Sequence, residues 1–342
     1  MWWMLVTYEL TAYVTCFLSI ILNGYLFYLI CKHTSIAMKP YSKILLQTVI
    51  TDVVTSLAFT FVQMKIESVQ NIIFSRGGPL WFGSTHPLKC FTVPAAGTVA
   101  IVCYWSTPLQ SLYRYFLVCR KTVLSVYKTI AIQSGVIIIS IAVSTYFYLA
   151  FQPISDNIEK FQVLDSLPIW ANETDNPSNF CFAYINTTNV TLYCIFMITV
   201  INLGFVVLIL SFWRVYKYLE ASRSIMSTKT RRIHLEFSRR TLYQTILPGI
   251  SAILIVVIVV CVQFLPSYEG GLYVFLFTPY YFNSVLNPLI TISCVHHYRY
   301  TTECILWRKK IVVSSENTTV KNIQGAQSES KRASLPVFAM RH

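Results

Sequence analysis

Residues 250–260 read ISAILIVVIVV, a run of aliphatic side chains that contains one serine and no charge. A membrane strand alternates apolar and polar residues over about ten positions, and this run does not alternate. A lipid-exposed segment must satisfy its backbone hydrogen bonds internally, so the run has to be helical. The stretch therefore predicts a membrane-spanning α-helix.

Six further apolar blocks have comparable length, and a helix needs about 20 residues to cross a bilayer. Only 12% of the 342 residues are charged and 55% are hydrophobic, whereas soluble domains carry roughly 25% charged residues. We predict an all-α membrane protein, a seven-transmembrane helix bundle. Its spans are expected at about 8–31, 44–64, 90–119, 129–151, 189–213, 241–265 and 272–295.

Lysine and arginine predict the orientation. Most of the 27 basic residues lie after the first, third and fifth spans and in the tail, and we count Arg239 and Arg240 among the loop charges. The positive-inside rule places these segments and the C-terminus in the cytoplasm and the N-terminus outside. Residues 1–310 would form the seven-transmembrane domain, and the polar segment 311–342 a disordered cytoplasmic tail.

Glycosylation sequons cluster on the side that charge places outside. They begin at Asn172, Asn186 and Asn189, in or beside the connection between the fourth and fifth spans. A further sequon at Asn317 lies in the predicted cytoplasmic tail, where no glycan is expected. The cluster predicts a plasma-membrane glycoprotein with this connection outside.

Two cysteines face the compartment that is predicted to be oxidising. Cys90 ends the third span on its outer side and Cys181 lies in the outer loop. Two free thiols are the alternative, but we favour a disulfide, which would fasten the loop over the bundle. Cys304, on a basic stretch after the seventh span, is a weak candidate for palmitoylation.

The sequence contains no motif for metal binding or for catalysis. No CxxC pair, Cys/His cluster, phosphate loop, nucleophile elbow or HExxH pattern is present. We therefore predict no metal, no cofactor and no enzyme activity. The net charge of +13 does not indicate nucleic acid as a partner, because the spans must lie in lipid whatever the charge does.

A few polar residues lie within the apolar blocks. Asp52 is the only acid well inside a span, and a charge there costs about 2.5–3.5 kcal/mol on insertion scales. It either ties helices together or acts as an ion- or proton-sensitive switch, and the two roles are compatible. Asn23 and Asn287 are candidate hydrogen-bond partners, and Pro288 frees a carbonyl and predicts a hinge.

Arg114 ends the third span on its inner side, next to Tyr115. Position alone favours an ordinary positive-inside anchor with an interfacial tyrosine. The alternative is an arginine that pairs inside the bundle at rest and meets a G protein when the protein is active.

Several motifs resemble those of rhodopsin-like receptors, and more closely those of nematode serpentine chemoreceptors, class delta. They are Asn23-Gly24 in the first span, KILLQTVITD at 43–52, Tyr113-Arg114-Tyr115, and PYYFNSVLNPLI at 279–290. The run MKPYSK at 38–43 adds to the likeness with class delta. The resemblance covers about residues 8–305.

The chain departs from the rhodopsin-like pattern at identifiable positions. Tyr113 stands where an acid precedes the arginine, and Thr291 stands where Asn-Pro-x-x-Tyr ends in tyrosine. The resting salt bridge onto Arg114 is therefore missing or made differently. The third span has no acid and the seventh no lysine, which argues against an amine ligand and excludes a retinal Schiff base.

The resemblance implies a chemosensory receptor in the cilia of sensory neurons, with a small odorant or pheromone as ligand and a heterotrimeric G protein as partner. We expect the ligand among aromatics of the outer half and the G protein at the basic inner surface. The candidates are Tyr104, Trp105, Tyr273 and Phe277 for the ligand, and Arg114, Tyr115, Arg231 and Arg232 for the G protein. The alternative is a seven-span ligand-gated channel subunit of inverted topology, which charge and sequons disfavour.

Overall fold

The computed structural model describes residues 2–34, 38–69, 71–78, 88–122, 124–154, 157–165, 167, 170, 180–222, 228–264, 275 and 278–307. It divides into two units, Met1–Arg299 and Tyr300–His342. Within the second unit the description covers residues 300–307. The predicted tail, 311–342, lies outside the described residues.

Nine α-helices occur in the described part of the chain, and seven of them form a bundle. The bundle helices are α1 (Trp2–His33), α2 (Lys39–Val62), α3 (Thr92–Cys119), α4 (Val126–Tyr148), α6 (Thr188–Ala221), α7 (Thr228–Phe264) and α8 (Thr278–Cys294). The short helices are α5 (Ile158–Asp165) and α9 (His296–Leu306). Because α3 packs against α2, α4, α6 and α7, it is the central helix of the bundle.

Local sequence explains where several helices begin. Pro40 occupies the first turn of α2, where its missing N–H leaves no hydrogen bond unmade. Ser125 caps α4 by accepting a hydrogen bond from the Lys128 N–H at 3.4 Å. Interior prolines lie in three bundle helices, at Pro108, Pro248 and Pro288. Such prolines are tolerated in a membrane bundle because neighbouring groups re-satisfy the freed carbonyls.

A small antiparallel sheet connects the outer loops. Its strands are β1 (Lys65–Val69), β2 (Ile72–Arg76), β3 (Gln152–Pro153) and β4 (Phe180–Tyr184), in the order β1-β2-β4-β3. Val69 pairs with Ile72 across a two-residue hairpin turn, and Asn71 takes the left-handed conformation (φ 64°) that such turns require. The outer connection between the fourth and fifth predicted spans thus contributes β3 and β4 to a sheet.

The buried side chains form two apolar layers. The outer layer joins the sheet to the outer halves of the helices and includes Tyr8, Phe59, Phe74 and Phe180. The inner layer joins α1, α2, α7 and the end of α8, and includes Leu29, Tyr41 and Phe237. A band of polar side chains on α1, α2, α3, α7 and α8 accompanies these layers and is described below.

The outer surface of the bundle is apolar. Phe17, Ile138 and Ile253 are each about two-thirds exposed (64%, 65% and 64%), and no residue in the described part of the chain covers them. Exposed apolar surface of this extent on helices marks contact with lipid. Four helices in the described part of the chain are long and apolar enough to cross a membrane: Trp3–His33, Lys39–Val62, Tyr127–Tyr148 and Thr188–Ala221.

The structure confirms the predicted seven-helix bundle and adds the sheet, which the sequence analysis did not predict. The largest difference in a boundary concerns α7, which begins at Thr228 instead of 241. Arg240, which we counted as a loop charge, therefore lies within a helix, and its side chain is only 2% exposed.

Candidate functional site

A polar network crosses the middle of the bundle from α2 to α8. Asn287 donates from Nδ2 to Asp52 Oδ1 at 2.9 Å, and both side chains are buried. Asn287 lies directly before Pro288 in α8, so the carboxylate of α2 contacts the helix next to its proline. The structure thus brings together Asp52 and Asn287, as we expected if these helices were neighbours.

Asn23 joins this band of polar side chains by a different contact. Its Nδ2 donates to the Ser19 carbonyl and to the Ser284 carbonyl, both at 3.0 Å, instead of to Asp52. The hydrogen bond to Ser284 links α1 to α8, at the turn before Asn287. Asn23 therefore holds α8 against α1, and Asp52 is hydrogen-bonded to Asn287 instead of to Asn23.

Arg240 is a buried cation of the bundle, whereas the sequence analysis placed it in a loop. Its Nε donates to Thr291 Oγ1 at 2.8 Å, and its Nη2 donates to Gln110 Oε1 at 3.1 Å. It also interacts electrostatically with Asp52. One guanidinium thus connects α7 to α3 and α8, and Thr291, the departure from the Asn-Pro-x-x-Tyr pattern, supplies an acceptor.

A spacing along α7 would have indicated this buried arginine. Arg240, Gln244 and Ser251 lie at i, i+4 and i+11, which places them on one face of a helix, and all three are buried. Gln244 continues the network, since its Nε2 donates to the Asn287 carbonyl at 3.3 Å.

Arg114 joins the inner ends of α3 and α7. Its side chain is 5% exposed, and its Nη2 donates to the His234 carbonyl at 2.7 Å and to Ser238 Oγ at 2.5 Å. Both acceptors are neutral. The contact therefore takes the place of the salt bridge that the residue at 113, a tyrosine, is unable to form.

Aromatic contacts from α2 close the same region. Tyr41 stacks on Phe237 at 4.1 Å between ring centroids, and its hydroxyl lies 2.7 Å from His234 Nδ1. Tyr113 donates its hydroxyl proton to the Pro40 carbonyl at 3.1 Å. The inner ends of α2, α3 and α7 are thus tied together around Arg114, and we call this arrangement the inner tether (Tyr41, Arg114, His234, Ser238).

Tyrosine hydroxyls connect the outer ends of α1 and α8 to the start of the sheet. Tyr8 donates to the Met64 carbonyl at 2.8 Å, and its hydroxyl lies 3.0 Å from that of Tyr281. Phe59 packs against both Tyr280 and Tyr281 at 5.7 Å. This aromatic cluster (Tyr8, Phe59, Tyr280, Tyr281) lies in the part of the bundle where we expected a ligand.

Of the predicted ligand contacts, Tyr104 and Trp105 lie on α3. Tyr104 is buried and donates to the Ile201 carbonyl of α6 at 2.7 Å. Trp105 is half-buried, and its Nε1 has no hydrogen-bond partner in the described part of the chain. Tyr273 and Phe277 lie outside the described residues.

The sheet is attached to the bundle by a disulfide and by an ion pair. Cys90 and Cys181 are bonded, with 5.5 Å between their Cα atoms, so β4 is fastened to the start of α3. Lys65 on β1 is fully buried and pairs with Glu9 of α1. Burial lowers the pKa of the Lys65 ammonium, and the Glu9 carboxylate opposes that shift.

Of the remaining predicted site residues that the structure describes, Cys304 is buried and the others lie near the surface. Asn186 is exposed and Asn189 half-buried, at the start of α6, whereas Asn172 lies outside the described residues. Tyr115 accepts a hydrogen bond from Arg120 Nε at 3.3 Å. Arg231 lines a cavity between α6 and α7, Arg232 pairs with Glu236 at 3.0 Å, and Cys304 lies on α9.

The described residues form no cluster of metal ligands. The helix contacts in the network are hydrogen bonds among amide, hydroxyl and carbonyl groups, the Asp52 carboxyl group, and arginine guanidinium groups that act as donors. Bonds of this type contribute about 0.5–3 kcal/mol each, so two arrangements of the bundle can lie within a few kcal/mol of each other.

Comparisons with known proteins agree with this architecture. The chain is similar to squid rhodopsin, with a TM-score of 0.58 and 12% sequence identity over 98% of this chain and 93% of that one, a likeness of fold alone. No curated protein sequence matches significantly. The model of the family described as "Serpentine type 7TM GPCR chemoreceptor Srd" matches residues 8–303. The chain therefore belongs to the Srd family of serpentine seven-transmembrane chemoreceptors, class delta.

Proposed function

We propose that this chain is an olfactory-type chemosensory receptor that binds a small molecule in the outer half of its bundle and activates a heterotrimeric G protein. We place it in the plasma membrane of sensory-neuron cilia of a nematode, with the N-terminus outside and glycans on the outer loop. The family and the fold support a membrane receptor, and the site supports the finer steps.

The inner tether is the observation that carries the proposal. Arg114 crosses from α3 to α7 and ends on a carbonyl and a hydroxyl. A G protein needs access to the space between these helix ends, and the tether closes it. Because hydrogen bonds from a charged donor to neutral acceptors contribute about 1.5–3 kcal/mol, a ligand's differential binding energy is sufficient to open it.

The polar network provides a physical route between the two ends. The aromatic cluster contacts α8 through Tyr281. Farther along α8, Asn287 bonds to Asp52 and Thr291 bonds to Arg240. Arg240 lies on α7, the helix that the inner tether joins to α3. A ligand that shifts α8 would change these contacts and so the balance between the two arrangements.

The test is a screen of volatile and water-soluble small molecules on cells that express the receptor, with calcium or cAMP as readout. A ligand that activates the wild type should fail with Arg114→Ala, because this variant lacks the guanidinium that would contact the G protein in the open arrangement. Arg214→Ala is the matched control, because Arg214 is exposed on α6 and its guanidinium packs on Trp213 of the same helix. A response that persists in cells lacking all G proteins would refute the coupling.

A further inference from the structure

A groove of about 570 Å³ runs between α2, α3 and α4, in the half of the bundle that carries the basic loops. The surface that its walls present is mainly apolar. Ile50, Val54 and Ile130 line it and are each more than half exposed, so the groove opens toward the surrounding lipid. Its volume falls within the range of about 300–1,000 Å³ that is typical of small-molecule sites.

The two glutamines that line the groove are hydrogen-bonded within its wall. Gln47 of α2 donates to Gln133 of α4, and Gln133 Nε2 donates to Thr51 Oγ1 at 3.4 Å. These amides bridge the two helices and demand no polar partner from an occupant. The wall is therefore suited to a hydrocarbon chain.

The length of the groove matches one leaflet of a bilayer. Lys43 lines one end and Thr55 lies toward the other, both on α2. At a rise of 1.5 Å per residue this part of α2 covers about 18 Å. Half of a hydrocarbon core is about 15 Å thick, so an acyl chain in the groove would lie at its normal depth.

The end of the groove at Lys43 is positively charged. Lys43 is exposed there, Lys39 begins α2, and Lys128 lies in the first turn of α4. Among the described side chains that line the groove, none is acidic. Basic residues where helices meet the cytoplasmic surface attract anionic lipid head groups, each contributing about 1 kcal/mol.

We propose that this groove binds an anionic phospholipid of the cytoplasmic leaflet, with the head group at Lys43 and one acyl chain between α2, α3 and α4. The observations that carry this proposal are the apolar walls, the length and the charge at one end. This lipid site is separate from the aromatic cluster around Tyr8 and Tyr281.

The experiment measures which lipid the purified full-length receptor retains. The protein in detergent is mixed with equal amounts of palmitoyl-oleoyl phosphatidylserine and phosphatidylcholine, and bound lipid is counted by native mass spectrometry. The wild type should retain phosphatidylserine preferentially. Lys43→Ala should lower its retention about fivefold, and the matched control Lys32→Ala, at the exposed end of α1, should not change it.

A second variant separates the groove from its charged rim. Ser134 lines the groove, and Ser134→Phe fills it without changing the charge, so phosphatidylserine retention should fall. Ile130→Trp makes the same test if Ser134→Phe does not fold. Wild-type retention by the filled variant would mean adsorption at the rim and would overturn the proposal. Equal retention of phosphatidylcholine, or displacement by cholesterol, would overturn it too.

Discussion

Ser238→Ala should raise the ligand-independent signalling of the receptor. The serine hydroxyl accepts a hydrogen bond from Arg114 Nη2 at 2.5 Å and itself donates to the His234 carbonyl at 3.0 Å. The substitution removes one acceptor of the guanidinium, and leaves the arginine itself available to a G protein. The closed arrangement loses stability, whereas an open arrangement that lacks this contact does not.

The magnitude follows from the nature of the bond. A hydrogen bond from a charged donor contributes about 1.5–3 kcal/mol, and we take the lower value because the His234 carbonyl remains. A change of about 1.4 kcal/mol shifts the ratio of open to closed receptor about tenfold. If the wild type is open about 1% of the time, the variant would be open about 10% of the time.

The assay measures basal nucleotide exchange on G proteins in membranes that contain equal amounts of receptor. Ser42→Ala is the matched control, since Ser42 also lies near an inner helix end and donates only to the Lys39 carbonyl of its own helix. Basal exchange by Ser238→Ala equal to that of the wild type and of the control would show that the tether does not restrain activation.

Three further predictions concern stability and topology. Cys181→Ser should lower the melting temperature, because a disulfide that closes a separation of 91 residues stabilises by about 4 kcal/mol; the control is Cys31→Ser, at an exposed free cysteine, and an equal melting temperature in both variants would contradict it. Gly204→Ala should cost about 1–3 kcal/mol, because the added Cβ would lie 2.5 Å from the ring of the tyrosine that α3 packs against it, whereas Gly24→Ala, with nothing within 4 Å, should not destabilise. Asn186→Gln should remove one glycan from the protein expressed in animal cells, as seen by a smaller shift in gel mobility on glycosidase treatment; an unchanged shift would argue against an outside position for this loop.

The seven helices could be predicted because the bilayer imposes a simple rule on the sequence. Every span must be long and apolar, so runs such as residues 250–260 are visible without any knowledge of packing. Asp52 and Asn287 could be singled out for the same reason, since a polar residue in such a run is costly without a partner. That they would meet each other depended on the neighbourhood of α2 and α8, which composition does not specify.

The sheet and the buried arginine were harder to predict. The strands are short, and β2 pairs with β4 over a long sequence separation, so no periodicity marks them. In the hairpin of β1 and β2, Asn71 was the turn signal. Arg240 follows Arg239, and a charge beside the predicted start of a span reads as a loop residue until the face shared with Gln244 is considered. The neutral acceptors of Arg114 could not be predicted, because a backbone carbonyl carries no sequence signature.

The disulfide has a mechanical consequence. Cys90 attaches the sheet at one end of α3, and Arg114 lies near the other end of the same 28-residue helix, which at 1.5 Å per residue is about 42 Å long. A molecule that lifts or tilts the sheet would therefore also move α3, and with it the Arg114 guanidinium near the far end of the helix. Reduction of this disulfide would uncouple the sheet from α3. Compounds that act through the sheet would then lose their effect, whereas compounds that contact the remaining helices directly would keep theirs.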